Sequence, residues 1–253
     1  MDRFIHTALN AMGNLRGVNS VNAQNLANMN VPGFRRDFIA EGASFSLEDA
    51  AGNLSPRAFQ LDREEAGFSD LPGFMDKTGE DLDIAIPDKG YFYIQPDTGG
   101  APALTRRGDL HVGLDGKLVN GANEAVLDTA QRPITLPPFR SVVVDEIGRI
   151  TIEPIDGAPG ERLEVATIGT TQATGLQLVK GEDGQIRPVG ATLPAPDQTA
   201  KVMQRVLEGS NVNSTEELIS SIDLQRSFEL NMRVVSTAKE LDEAGVSLMR
   251  LPG

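Results

Sequence analysis

The sequence predicts an α+β protein: long N- and C-terminal α-helices pair as a coiled-coil-like layer, and a central all-β domain of many short strands lies between them. Three observations carry this reading. Apolar residues recur at three- and four-residue steps at both ends of the chain. The middle alternates apolar with polar residues and is punctuated by Asp-Gly and Asn-Gly turns. The two end segments are also too long to lie wholly against a body of the size that remains.

The N-terminal stripe runs through Phe4, Ala8, Ala11, Leu15, Val18, Leu26 and Met29, and stops at Val31-Pro32-Gly33. Seven Asn residues fall in the first thirty positions, and Asn forms helix poorly, so this helix needs a packing partner. At the other end, Asn213-Ser214-Thr215-Glu216 reads as an N-cap with a capping-box acid. Leu218, Ile222, Phe228, Met232, Val235, Ala238, Leu241 and Leu248 follow it as one stripe. Helices of 28 and 37 residues would be about 42 and 55 Å long. The intervening body has a radius of gyration of about 16 Å. Each helix has one apolar stripe, so its natural partner is another helix, and surface left uncovered marks an interaction site.

The chain divides into an N-terminal assembly helix over 1–33, an extended Phe-bearing arm over 34–80, a central β domain over 81–200 and a C-terminal assembly helix over 201–253. In the β domain, 81–86 alternates strictly and 90–94 is a second strand. Strands over 110–113, 117–119 and 125–127 form a meander with turns at Asp115-Gly116 and Asn120-Gly121. Further strands are predicted over 142–144, 149–152, 163–168, 176–179 and 185–189. The arm holds six of the ten Phe residues: Phe34, Phe38, Phe45, Phe59, Phe68 and Phe74. Linkers that stay disordered are poor in aromatics, so these rings are expected to insert into a surface.

Composition narrows the function. The net charge of −13 argues against a nucleic-acid partner. Residues 1–36 carry +3 and residues 201–253 carry −2, which leaves −14 for the middle. With no cysteine, the chain has no thiolate metal site, disulfide or Cys nucleophile. No apolar run approaches the ~20 residues of a membrane span, so no membrane insertion is expected, and the N-terminus lacks a cleavable signal's continuous apolar core. His6 and His111 are the only histidines and have no acid or histidine partners in their patterns, so both read as structural. Asp81 and Asp83 share a strand face, the one arrangement that suggests a glycoside hydrolase, yet two acids beside a turn read better as a solvated edge. No catalytic, cofactor-binding or metal-binding residue is assigned, and no cofactor is expected.

The end zones also carry a resemblance. Asn25-Leu26-Ala27-Asn28-Met29-Asn30-Val31-Pro32-Gly33-Phe34-Arg35 resembles the Asn-Leu-Ala-Asn-x-x-Thr-Pro-Gly-Phe/Tyr-Lys signature of flagellar rod and hook proteins, with Val31 in place of Thr or Ser. Leu207-Glu208-Gly209-Ser210-Asn211-Val212-Asn213 before the last helix is similar to that family's closing motif. So are 82–86 with Gly90-Tyr91-Phe92, and Thr105-Arg106-Arg107-Gly108-Asp109-Leu110 with Gly116-Lys117-Leu118-Val119, to its β-domain core. Met1-Asp2-Arg3-Phe4-Ile5-His6-Thr7-Ala8 and the chain length look most like the proximal-rod members of the flagellar basal-body rod family, with distal-rod members next. The resemblance implies a non-enzymatic subunit of a helical axial tube, exported through the flagellar type III apparatus without signal cleavage. It also implies that the partners are other rod subunits and copies of the chain itself. The predicted assembly interface is Leu15, Val18, Asn25, Leu26, Asn28, Met29, Pro32, Gly33, Phe34, Leu218, Ile222, Phe228, Met232, Val235 and Leu241. An exported β-domain adaptor module is the alternative.

Overall fold

A computed structural model describes residues 2–39, 44–48, 54–60, 67–181, 183–190 and 192–249, with the side chains of 2–8, 10, 44–48, 54–60, 242 and 247–249 outside that description. The chain forms two compact units. One comprises Met1–Ala27, Asp37–Glu65 and Asn213–Gly253; the other comprises Asn28–Arg36 and Ala66–Val212.

The first unit holds the two helices, α1 (Asp2–Ala27) and α2 (Ser214–Met249). The N-terminus of α2 forms as the sequence predicts. The Asn213 side-chain oxygen accepts from the Thr215 amide at 3.1 Å, and its NH₂ donates to Glu216 at 3.0 Å. In α1 the helix ends three residues before the predicted stop region, because Asn28–Asn30 already turn, with the Val31 amide on the Asn28 carbonyl. Within the predicted arm, Ser44–Glu48 and Leu54–Gln60 pair as an antiparallel hairpin, Phe45 opposite Phe59. The rings of Phe45 and Phe59 and the imidazole of His6 lie outside the described residues.

The α+β class is correct, but the predicted coiled-coil-like pairing is not what the helices make. Leu218, Ile222, Phe228, Met232 and Leu241, the expected seam of α2, are 40–55 % exposed. The shielded positions of α2 include Glu217, Leu224, Asn231 and Ala238, of which Glu217 and Asn231 are one residue round the helix from Leu218 and Met232. That face mixes the polar Glu217 and Asn231 with Leu224, Val234, Val235 and Ala238, and in α1 the buried described side chains are Asn22 and Asn25. An amphipathic stripe shows which face is apolar and not whose surface covers it. Here buried polar side chains set the rotation of the helices.

The second unit is the β body. Its main sheet runs antiparallel in the order 178–180, 186–188, 103–105, 91–95, 125–126, 118–120 and 110–112, with Thr170–Thr171 also on Tyr91–Gln95. Phe139–Val144, Arg149–Pro154 and Leu163–Thr167 make a second, three-stranded sheet. Phe92, Leu110, Leu118 and Val126 pack with Val142, Val144, Ile150 and Ile152 in one core cluster. The alternate residues Tyr91 and Tyr93 build another cluster with Leu104, Leu127 and Ile186, so the strand is covered on both faces. The alternation over 81–86 predicts a half-exposed strand, yet Ile84, Ala85 and Ile86 are all buried and only Ile84–Ala85 is strand. The predicted Asp-Gly turns at Gly116 and Gly184 adopt positive φ, 77° in each. Two short pairings lack any local signal: Met75–Lys77 on Val206–Glu208, and Ile84–Ala85 on Met203–Gln204.

Tyr91 and Tyr93 are the chain's two tyrosines, and burial pushes both phenols from 10.0 up to about 12, with Asp70 adding to the shift at Tyr91. A raised folded-state value stabilises fully below the unfolded value and is lost as pH climbs through the folded one. Stability should therefore hold to about pH 10 and fall between about pH 10 and 12. Phenolate absorbance should rise in step with the loss of β circular dichroism. Titration of either ring at pH 10 with the fold intact would contradict this packing.

Candidate assembly interface

At the base of the helix pair, Asn22, Asn25 and Glu217 form a buried polar lock. The Asn22 NH₂ donates to the Glu217 carboxylate at 2.6 Å and to its backbone carbonyl at 2.9 Å. Asn25 places its amide against the backbone of Asp37, donating to the carbonyl and accepting from the amide, each at 2.9 Å. A side-chain amide thus substitutes for a strand neighbour, which a Leu or Ala at position 25 cannot do. Nearby, Leu15, Leu224 and Phe228 line a cleft of about 350 Å³ between the helices, with Arg16 and Glu229 at its rim.

In the β body, the motif after α1 is held by a second buried network. Glu208 is ion-paired with Arg35 at 2.9 Å and with Arg106 at 2.6 Å, and all three side chains are at most 4 % exposed. Arg106 is further fixed by the carbonyls of Asp88, Gly90 and Ile86. Burial, followed by the charge of Arg106, pulls Arg35 below its ordinary value, while Glu208 opposes this. Gly33 has φ 68° and its amide donates to the Glu208 carbonyl at 2.7 Å. A Cβ there would collide with the backbone of Arg106 and Arg107, so both the turn and the close approach require glycine. Phe34 carries the Lys180 ammonium 3.7 Å from its ring centre, and that ammonium donates to the Arg35 carbonyl. Asn211 joins three segments: it accepts from the Arg36 amide at 2.6 Å and donates to the carbonyls of Leu71 and Ser69.

The predicted interface residues are therefore divided between the units. Leu15, Val18, Asn25, Leu26, Leu218, Ile222, Phe228, Met232, Val235 and Leu241 lie on the helix pair, whereas Asn28, Met29, Pro32, Gly33 and Phe34 belong to the β body. Asn25 is buried; Leu15, Leu26 and Val235 are half-buried; Val18 and the other α2 positions are exposed. Arg35, Arg106, Glu208 and Asn211 fall within the family-like motifs but, like Asn22 and Glu217, lie outside the predicted interface. The available signal was a lone acid, Glu208, between apolar and small residues in Val206-Leu207-Glu208-Gly209. Asp81 forms an exposed ion pair with Arg205 at 2.6 Å, and the Asp83 carbonyl accepts from the Arg205 amide at 2.7 Å. Both acids thus take part in structural contacts. Among the described residues no helix is long and apolar enough to cross a membrane.

A helix pair with a polar base and an apolar exterior, joined to a β body, defines a structural subunit class. Residues 203–248 match the family described as flagellar basal body rod FlgEFG protein C-terminal. The flagellar basal-body rod protein FlgF of Escherichia coli is 31 % identical over 253 residues, covering 97 % of this chain and 96 % of the relative. FlgF of Caulobacter vibrioides is 30 % identical, with 97 % of each chain covered. The flagellar basal-body rod protein FlgG of Bacillus subtilis is 26 % identical over 99 % of this chain and all of its own length. The chain belongs to the flagellar basal-body rod protein family; it is a structural subunit of the basal-body rod and not an enzyme. It assembles with other rod components.

Removing one member of a buried ion pair leaves its partners uncompensated. Glu208→Ala should cost the β body roughly 3–5 kcal/mol in urea unfolding. Glu217→Ala should cost the helix pair roughly 1–3 kcal/mol through loss of the buried 2.6 Å bond from Asn22 to the carboxylate, read as earlier loss of the 222 nm helical signal. A change of less than about 0.5 kcal/mol in either, the range of ordinary surface substitutions, would remove that network from the account.

Proposed function

We propose that this chain occupies the proximal part of the rod and that the outward apolar faces of α1 and α2 are where neighbouring subunits, including copies of itself, attach. The carrying observation is the exposure of Leu218, Ile219, Ile222, Leu230, Met232, Leu241 and Val246 on a single helix. Covering the remaining half of seven such side chains is worth roughly 5–10 kcal/mol. That is comparable with the ~4–15 kcal/mol cost of association, so one contact holds weakly and a lattice of them holds firmly. A heterologous contact that does not close extends as a helical filament, which suits a rod that transmits torque.

On this reading α1 and α2, within residues 1–33 and 201–253, are the assembly ends, while 28–33 and 201–212 pack in the β body, whose residues 81–200 make lateral contacts, and the arm of 34–80 runs between them. Asn28, Met29, Pro32, Gly33 and Phe34 set the exit of the chain from α1. The identities to FlgF relatives, 27–31 %, against 26–28 % for FlgG relatives, lean to the proximal over the distal position. Export through the type III apparatus without cleavage belongs to the same proposal.

Met232→Asp and Ile222→Asp put charge on exposed positions, so the monomer should keep both its helical signal and its tyrosine environment. Cells carrying either variant should lack completed rods and motility. Normal motility with wild-type incorporation of both variants would reject the proposed surface.

A further inference from the structure

Leu71 and Phe74 are among the most exposed large apolar side chains of the β body, 71 % and 69 %. Their loop, however, is not loose. The Leu71 carbonyl accepts from the Arg35 guanidinium and from the Asn211 amide at 2.7 Å. The Gly73 amide donates to the Glu208 carboxylate at 2.9 Å, and the Gly209 amide donates to the Phe74 carbonyl at 2.8 Å. Pro72 stiffens the backbone between them. Gly73 and Gly209 pack backbone against backbone, and the Phe74 ring lies over Gly209, where a Cβ would collide with it. A buried ion-pair network thus immobilises a loop whose two apolar side chains face water. Leu114 differs: it is 113 % exposed, on a hairpin turn that this network does not reach. Ordering a loop costs entropy, so display of side chains on a rigid support lowers the cost of docking them.

We infer that the loop 71–74 is a second assembly contact: its Leu71 and Phe74 seat in the cleft between α1 and α2 of another copy of this chain. The inference rests on the assembly reading of the helix pair. The cleft is apolar at its walls, with Leu15, Leu224 and Phe228, and holds about 350 Å³, enough for a leucine and an aromatic ring. Charge does not oppose the contact. The knob is flanked by Asp70 and Lys89, exposed and 3.6 Å apart. The cleft lining also holds Arg16 and Glu229, so each surface carries one charge of either sign and the contact buries no net charge. Two side chains bury on the order of 300 Å², against about 800 Å² per partner in a stable binary interface. The contact is therefore too small to make a dimer in the free protein. Knob and cleft are different surfaces of one chain, so the contact is heterologous, and it extends as an open helix where its rotation does not close a ring.

The chain has no cysteine, so single thiols can be placed cleanly. With oxidised glutathione as the two-electron oxidant, Leu71→Cys protein mixed with Gln225→Cys protein should form a mixed disulfide about tenfold faster than Leu114→Cys with Gln225→Cys, the gain that ~1.4 kcal/mol of contact energy confers. Disulfides between two Leu71→Cys chains should be the minor product. Equal rates for the two mixtures, or a dominant Leu71→Cys homodimer, would overturn the inference. In cells, a Leu71→Ser/Phe74→Ser double variant should fold and be exported but fail to complete rods. If it fails to build rods while the cysteine mixture shows no preference, the knob docks on a different rod subunit and the second-copy occupant is wrong. If it builds rods normally while Met232→Asp does not, this contact falls and the helix-face reading stands; if both build rods, both fall.

Discussion

A carboxylate with no access to water holds the β body's chain ends together. Glu208 sits between Arg35, which follows the exit from α1, and Arg106, which directly follows the strand 103–105 of the main sheet. Its own backbone accepts from Gly33 and its side chain accepts from Gly73. Four segments far apart in sequence converge on one residue. Desolvating three charges is expensive, and the geometry repays it only because further hydrogen bonds satisfy the guanidinium of Arg106. An apolar residue of similar volume at 208 would fill the space but leave nothing to align the four segments. The glycines at 33, 73 and 209 let the backbones approach closely enough for this convergence.

The helix pair follows the same principle with weaker groups. Asn22 and Asn25 are weak helix formers, and they and Glu217 are poor choices for apolar burial, yet they are the side chains that the base of the pair encloses. Satisfied buried polar groups specify one arrangement, whereas greasy seams tolerate several. By fixing the rotation of α2 through Glu217, the lock leaves Leu218, Ile219 and Ile222 facing outward. The apolar surface that a free monomer would hide becomes available for neighbours.

These two networks suit a subunit that must be rigid in the axis but adhesive only in company. The locks are internal to each unit and do not depend on partners. In the proposed assembly, the adhesive elements are individually weak: half-exposed side chains along α2 and a two-residue knob. Weak, heterologous contacts that reinforce one another separate a dispersed subunit from an assembled rod without any covalent step.

Both helix spans, the N-cap at Asn213, the antiparallel meander through 110–127 and its Asp-Gly turn were legible in the sequence, because each follows from contacts within a few residues. The rod-family motif was legible for the same reason. The strands at 75–77 and 206–208 were not: they pair across about 130 residues, and three residues carry no period. Asn25 is the clearest case of partial legibility. The motif marked it as important, but only the folded chain shows its amide standing in for a strand beside Asp37. Periodicity determined that α1 and α2 exist and which of their faces is apolar. Tertiary structure decided which face each helix turns inward, because a handful of buried hydrogen bonds outweighs a stripe that has solvent or a neighbour as its alternative cover.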